Sequence, residues 1–309
     1  MPSEGGGYLM TTNQSGFRSR HELTEKRPPG SSRILLFGDS FTAGDGVSDG
    51  YRFSDILEQR LEGPQVINLG LSGTGTDQQY LIFRELAKDL EYDLLLICPL
   101  VENIRRVANR FRATKSRQDG SQVYMAKPYF ELDDGKLNLR HVPVPKGLLR
   151  QEDLSPEDLG HVDYGGRHRV QRSIVNRFLR PLKPILQSVF SYQPVPDYDD
   201  PKSPSWLLMK AVFQQWIAES ADHPVIVCPI PLYQHVEQNA SADNYRKRFQ
   251  ELAEMDGVTV VDPLPRFWAE DPESRRRCRF RNNPHLTPFG HQVLADALAP
   301  TVARSLEGR

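Results

Sequence analysis

The chain contains few cysteines. Cys98, Cys228 and Cys278 are the three present in 309 residues, and they lie far apart. Their spacing offers no zinc site. Cys98 and Cys228 lie at the ends of apolar runs, which predicts buried thiols. This cysteine usage is typical of a reducing compartment.

Net charge and long apolar runs are also lacking. The 39 Lys and Arg residues balance 40 Asp and Glu residues, for a formal net charge of −1. Overall charge therefore indicates neither a nucleic-acid partner nor an anionic membrane partner. Residues 1–16 contain neither the basic segment nor the apolar segment of a signal peptide, and no apolar span is long enough to cross a membrane. We therefore expect a soluble cytoplasmic protein.

Short apolar runs alternate with helical patterns along most of the chain. Between the runs, apolar residues recur at helical spacing, as Phe53, Ile56, Leu57 and Leu61 do. The alternation predicts a parallel sheet with helices on both faces. The five predicted strands are residues 34–37, 66–67, 94–97, 225–227 and 258–261.

The middle of the chain does not follow this alternation. A structureless loop of about a hundred residues is unusual inside a compact domain, so an insert with its own structure is expected. Residues 129–139 alternate around Asp133-Asp134-Gly135, which predicts a β-hairpin. Residues 170–192 have the pattern of an amphipathic helix interrupted by Pro181 and Pro184.

These patterns divide the chain into three parts. We predict an N-terminal arm, a core formed by two separate segments, and an inserted cap subdomain that lies over the sheet edge. Their bounds are 1–32 for the arm, 33–103 and 205–309 for the core, and 104–204 for the cap.

Residues of types that serve in catalysis or binding follow the predicted strands in order. Gly38-Asp39-Ser40 ends the first strand, a glycine-rich turn at 68–76 follows the second, and Asn103 follows the third. His285 precedes the last predicted helix. Because ligands bind at the carboxyl edge of open α/β sheets, these side chains are expected to meet there.

In this order, the four blocks resemble the SGNH (GDSL) hydrolases. The resemblance covers residues 14–103 and 205–305 and implies a flavodoxin-like three-layer α/β/α sandwich with a five-stranded parallel sheet. It also implies a serine esterase, in which Ser40 attacks an acyl ester and His285 takes its proton. The oxyanion would be bound by the Ser40 and Gly73 N–H groups and the Asn103 side-chain amide.

The sequence departs from the family pattern at the triad acid. The family has aspartate two or three residues before the histidine, where this chain has Asn283 and Asn282. An amide can orient the imidazole but cannot compensate the imidazolium charge. Asn283 therefore stays a candidate beside His285. Glu102-Asn103-Ile104 also replaces the family's Gly-Asn-Asp.

Three explanations of the missing acid stay open. The enzyme works as a Ser40–His285 dyad oriented by a backbone carbonyl, the site has become a binding pocket, or the asparagine is a deliberate substitution. Glu102 or Asp262 is a further source of a carboxylate. His291, inside the last helix, is the less favoured base.

A basic run follows Asn103 at the same sheet edge and suits an anionic substrate, such as an acidic sugar or a phosphate-bearing carrier. A solvated basic face is the alternative. Asp39, Arg105 and Arg106 are the candidate substrate-binding residues. The basic residues are Arg105, Arg106, Arg110, Arg112, Lys115 and Arg117.

The predicted function is hydrolysis of an acyl ester on a carbohydrate or a small metabolite. Transfer of the acyl group to an acceptor other than water, and a catalytically silent binding protein, are the alternatives. We predict no cofactor, no metal and no nucleic-acid partner, since the chain has no phosphate-binding loop and no nucleotide fingerprint. The acyl group, the alcohol and the oligomeric state stay open.

Overall fold

The computed structural model describes residues 7–61, 63–164, 193–220 and 223–307. The strands within them are β1 (Arg33–Gly38), β2 (Gln65–Asn68), β3 (Leu94–Cys98), β4 (Phe111–Lys115), β5 (Gln122–Ala126), β6 (Tyr129–Asp133), β7 (Lys136–Arg140), β8 (Val162–Asp163), β9 (Val225–Val227), β10 (Val258–Val260), β11 (Arg279–Phe280) and β12 (Asn283–Leu286). The α-helices are α1 (Ser40–Ala43), α2 (Phe53–Leu61), α3 (Thr76–Ile82), α4 (Asn103–Val107), α5 (Pro156–Gly160), α6 (Pro204–Glu219), α7 (Tyr233–Val236), α8 (Asp243–Gln250), α9 (Leu264–Trp268), α10 (Pro272–Arg277) and α11 (Pro288–Leu306).

A five-stranded parallel sheet forms the centre, in the order β10-β9-β3-β1-β2. β1 pairs with β2 on one side, with Ile34 opposite Val66, and with β3 on the other, with Leu36 opposite Leu96. The order corresponds to the flavodoxin-like arrangement, and the predicted parallel sheet is confirmed. The strand order reverses at β1 and β3, which is where such sheets bind ligands.

The sheet is buried between two layers of helices. Every residue of β1 and β3 is buried, as their continuous apolar sequences require for strands covered on both faces. α2 packs against α11, while α6 packs against α3 and α4. The ring of Trp216 from α6 meets Phe37 of β1 edge-on, with 5.1 Å between ring centroids. This apolar burial is the main force that holds the sheet edge in place.

The N-terminal arm is anchored beside the carboxyl end of β1. Residues 7–32 contain no helix or strand. The guanidinium of Arg18 nevertheless is buried and donates to the carbonyl oxygens of Gly44 and Val47. It also pairs with Asp49 at 2.8 Å. The arm thus stabilises the turn that follows α1.

The insert contains two small sheets, of which the first is mixed and the second is antiparallel. β5 and β8 flank β4, and this sheet has its own small core of Phe111, Tyr124, Leu154 and Val162. β6 and β7 form the predicted hairpin, which is confirmed, with Asp134 and Gly135 at positive φ in the turn.

The hairpin packs on the main core. Phe130 contacts Tyr80 of α3, with 5.7 Å between the ring centroids. The helix predicted over 170–192 lies outside the described residues. The division of the chain at 32, 104 and 204, and the role of the insert as a cap, stay predictions.

The three cysteines are free and buried, which confirms the prediction for Cys98 and Cys228. Among the described residues, no helix combines the length and the apolar composition needed to cross a membrane.

Candidate active site

Ser40 lies where β1 ends and α1 begins. Asp39 caps this helix, since its Oδ1 accepts the Phe41 N–H at 3.0 Å. A side chain at Gly38 would overlap Thr42 and the carbonyl oxygen of Cys98, so only glycine fits there. As the first residue of the helix, Ser40 has an N–H group without an intrahelical acceptor. The turn therefore presents both the hydroxyl and the N–H of Ser40 at the sheet edge.

His285 lies against Ser40. Its strand β12 forms a two-stranded antiparallel ribbon with β11 just before α11. Nε2 of the imidazole is 2.8 Å from Oγ of Ser40. The Phe41 ring packs on the imidazole, with 4.7 Å between ring centroids. The structure thus brings together two side chains that lie at opposite ends of the sequence.

Asn283 sets the tautomer of His285. Its Oδ1 accepts the backbone N–H of His285 at 3.0 Å and also lies 2.5 Å from Nδ1 of the imidazole. A backbone N–H can only donate, so it faces the oxygen of the amide and not its NH₂ group. Nδ1 must then carry the proton, and Nε2 is left as an acceptor for the Ser40 hydroxyl. Asn282 is exposed and does not make this contact.

The carboxylate of Asp45 acts electrostatically on the imidazole of His285. Burial lowers the pKa of His285, while the carboxylates of Asp45 and Asp39 raise it and Arg106 lowers it. The Asp45 N–H donates to the Ser40 carbonyl oxygen at 2.9 Å, which places this residue directly after α1. Its two carboxylate oxygens accept from Ser72 Oγ at 2.8 and 2.9 Å.

Asp45 has no ion-pair partner within the part of the chain that the structure describes. The sequence reasoning missed it. The signal that was available is its position, five residues after Ser40 in the same glycine-flanked turn.

Arg106 ties three parts of the site together. Its Nη1 donates to Asp39 at 2.8 Å, to the carbonyl oxygen of Thr74 at 3.1 Å and to Oδ1 of Asn103 at 3.2 Å. One guanidinium thus links the end of β1, the glycine-rich turn and α4. Such charge-assisted bonds in a partly buried setting hold geometry well.

The prediction that Asp39 binds substrate needs correction. Its side chain is fully buried, and burial raises its pKa while Arg106 opposes that rise. One carboxylate oxygen caps α1 and the other pairs with Arg106. Asp39 therefore positions the turn around Ser40, and its side chain exposes no atom that could bind a substrate.

Asn103 presents an amide N–H group without a partner. The residue is completely buried at the first position of α4, and its Oδ1 is taken by Arg106. Nδ2 has no hydrogen-bond partner among the described residues. A buried donor left unpaired lowers the stability of the fold by about 1–3 kcal/mol. An acceptor that forms a hydrogen bond with Nδ2 would therefore bind favourably.

Gly73 lies in the glycine-rich turn with φ of 82°, a conformation that favours glycine. A Cβ atom there would also overlap the guanidinium of Arg112, which extends from β4 of the insert. Gly73, Arg106 and Arg112 line a cavity of about 210 Å³. The insert and the glycine-rich turn therefore line the same cavity.

The remaining candidates lie apart from His285. Arg105 pairs with Asp197 at 3.1 Å and with Glu102 at 3.6 Å. Asp262 pairs with Arg246 at 2.7 Å. Neither Glu102 nor Asp262 therefore replaces the missing triad acid. Arg105 borders a neighbouring cavity of about 300 Å³ that shares Arg106 with the first one, and its binding role stays a prediction.

His291 has a structural role. Its Nδ1 accepts the Phe53 N–H at 3.2 Å, and its ring stacks on that of Phe53. Burial lowers the pKa of His291 to about 3, so the imidazole is neutral at physiological pH. It joins α11 to α2 and does not contact Ser40.

Comparison with known families decides the relationship. A family model described as the SGNH domain (fused to AT3 domains) matches residues 105–300, which is more than half of the chain. The chain belongs to the SGNH domain family. Asn283 and His285 lie inside the segment that the family model matches. Ser40, Gly73 and Asn103 precede that segment.

Solved structures similar to this SGNH domain have low sequence identity. A member of the lipolytic G-D-S-L family from Veillonella parvula is 12% identical, with a TM-score of 0.46, over 89% of this chain and 100% of that chain. An acetyl xylan esterase from Geobacillus stearothermophilus is 13% identical, with a TM-score of 0.46, over 88% and 95%. The comparison with curated proteins found no match.

Proposed function

We propose that this SGNH domain is a serine ester hydrolase that uses Ser40 as nucleophile and His285 as general base. The observation that carries the proposal is the 2.8 Å separation of Nε2 and Oγ, with Asn283 holding the proton on Nδ1. Nε2 takes the hydroxyl proton as Oγ attacks the ester carbonyl carbon. The imidazolium then gives this proton to the leaving alcohol. Water repeats the sequence on the acyl-enzyme and releases the acid.

The oxyanion is bound by donors on the nucleophile side. These are the Ser40 N–H at the start of α1, the Gly73 N–H and the Nδ2–H group of Asn103. The unpaired, buried state of Nδ2 supports this role, since this donor has no acceptor to give up among the described residues. Preorganised donors of this kind are usually the largest contribution to catalysis.

The positive charge that develops on His285 is compensated from a distance. Asn283 fixes the tautomer and carries no charge. Asp45 and Asp39 are the carboxylates that act on the imidazole, and Asp39 is already neutralised by Arg106. Asp45 therefore takes over the electrostatic part of the role of a triad acid, and Asn283 the orienting part.

The proposed substrate is an acyl ester of a carbohydrate or a small metabolite. The cavity of about 210 Å³ between the glycine-rich turn and β4 is large enough for a small acyl or alcohol group. Arg106 and Arg112 on its wall suit a polar substrate. Under this proposal the insert forms part of the substrate site.

A binding protein is the second candidate, because a neutral asparagine stands where the triad needs a carboxylate. Such a protein would retain the pocket and lack turnover.

An esterase assay separates the two candidates. We expect the protein to hydrolyse 4-nitrophenyl acetate, and Ser40→Ala to lower the rate by about 10³-fold or more, since the loss of a nucleophile removes covalent catalysis. Ser15→Ala, at an exposed serine of the arm, is the matched control and should leave the rate unchanged. Equal rates for the wild-type and Ser40→Ala proteins would favour the binding protein.

A further inference from the structure

An arginine cluster lies beside the strand that carries His285. Five arginines occur in the seven residues 275–281, on α10, on β11 and in the turn that follows β11. β11 pairs antiparallel with β12, so that Phe280 is opposite Asn283 and Arg279 is opposite Leu286. The cluster is therefore one strand away from the imidazole.

Four of these five arginines form one wall of an open groove of about 580 Å³. No Asp or Glu residue is among the described residues that line it. The lining residues that matter here are Arg276, Arg277, Arg279, Arg281, Phe280 and Phe289. Positive charge concentrated in a concave surface raises the local concentration of anions.

Only part of this charge is neutralised by the protein. Arg279 pairs with Glu237 at 2.7 Å and lies over the ring of Tyr233, so it serves the structure. Arg277 lies over the Phe289 ring, with 5.7 Å from its guanidinium carbon to the centroid. Arg276 and Arg277 are exposed and pair with no carboxylate within the described residues.

Arg275, the first arginine of the run, does not line this groove but adds to its positive charge. Its Nε and Nη1 atoms are buried and have no hydrogen-bond partner among the described residues. Arg275 lines a cavity of about 10 Å³ together with Phe41 and Pro284, which adjoin Ser40 and His285 in sequence. A cavity of this size holds no anion, so Arg275 contributes charge to the cluster and is not a contact residue for the ligand.

We propose that the arginine groove binds a carboxylate or phosphate group of the substrate, with Arg276 and Arg277 as the contacting residues. This inference rests on the proposed function and adds to it that the ester belongs to an anionic molecule. A carbohydrate acid or a sugar phosphate fits better than a nucleic acid. Phe280 is buried and the Phe289 ring is already covered by Arg277, so exposed faces for base stacking are missing from this groove.

Binding to the full-length Ser40→Ala protein tests the groove without requiring turnover. The probes are polygalacturonate for carboxylate, inorganic polyphosphate for phosphate, dextran as the neutral polymer and a single-stranded DNA oligonucleotide. We expect polygalacturonate or polyphosphate to bind most tightly, and which of the two does so identifies the anionic group. Raising the salt concentration should weaken this binding.

Charge removal identifies the contacting residues. We expect Arg276→Ala/Arg277→Ala to weaken binding of the preferred acidic polymer by about tenfold or more, because charge-assisted hydrogen bonds are lost. Arg150→Ala/Arg304→Ala removes the same charge from exposed positions elsewhere and should change affinity less than twofold. Thermal unfolding of both double variants shows whether they remain folded.

Three results would overturn the inference: equal losses in the two double variants, binding of the acidic polymers no tighter than that of dextran, or the tightest binding to DNA. Esterase activity without binding of acidic polymers would support the proposed function and contradict the arginine groove as an anion site. Binding of acidic polymers without esterase activity would support the anion site and contradict the proposed function.

Discussion

The two sides of the candidate active site are held in different ways. On the nucleophile side, buried Asp39 and Asn103 are fixed through one guanidinium, that of Arg106. On the histidine side, His285 is oriented by a neutral amide, and the carboxylate of Asp45 is partly exposed. Under the proposed function, orientation and charge compensation, which one triad aspartate normally combines, are divided between Asn283 and Asp45.

After the loss of the nucleophile itself, the largest effect is expected from removing the unpaired donor of the nucleophile side. Asn103→Ala should lower kcat for a 4-nitrophenyl ester by about 10²–10³-fold with a smaller change in KM, because an oxyanion donor acts in the transition state. Steady-state kinetics check this. Asn138→Ala, in the hairpin, is the control. A loss of less than threefold in kcat would remove Asn103 from the proposed oxyanion site.

Restoring a carboxylate on the histidine side should have the next largest effect. We expect Asn283→Asp to raise kcat by about 10–10²-fold, because the tautomer is already correct and only the charge is added. The new negative charge raises the pKa of His285, so the acid limb of the pH–rate profile should move to higher pH. An unchanged rate would show that charge compensation at this position does not limit catalysis.

The smallest effect is expected at Asp45. Asp45→Asn removes a carboxylate that raises the pKa of His285, so the acid limb should move to lower pH while the maximal rate falls about fivefold. The pH dependence of kcat/KM measures both changes. In the Asn283→Asp background the loss should shrink to less than twofold, since the nearer carboxylate then dominates. Equal losses in both backgrounds, or an acid limb that does not move, would show that Asp45 has no electrostatic effect on His285 during catalysis.

The central sheet could be predicted from the sequence alone. Fully buried parallel strands need continuous apolar runs, so residues 34–37 and 94–97 could be recognised without knowledge of their neighbours. The motif order along these strands also led to the expectation that Ser40 and His285 lie together at one edge, and the structure places them there. The hairpin in the insert was predictable from its Asp-Asp-Gly turn.

The polar network behind the site was not predictable in the same way. Whether a charged side chain binds a ligand or another part of the protein depends on its burial and on partners distant in sequence. Arg106 meets Asp39 across 67 positions, and Arg18 of the arm reaches the turn after Ser40. The position of Asp45 five residues after Ser40 does not by itself distinguish it from a solvated turn residue. The sequence therefore pointed to Asp39 as a ligand-binding residue, although it is buried and paired.

Covalent labelling of Ser40 tests the central claim most directly. After incubation with a fluorophosphonate, we expect peptide mass spectrometry to find one adduct per chain, on Ser40, and a much slower reaction in the His285→Ala variant, because the imidazole activates the hydroxyl. An unmodified Ser40 under conditions that label a competent serine hydrolase, or an adduct on another serine, would contradict the account.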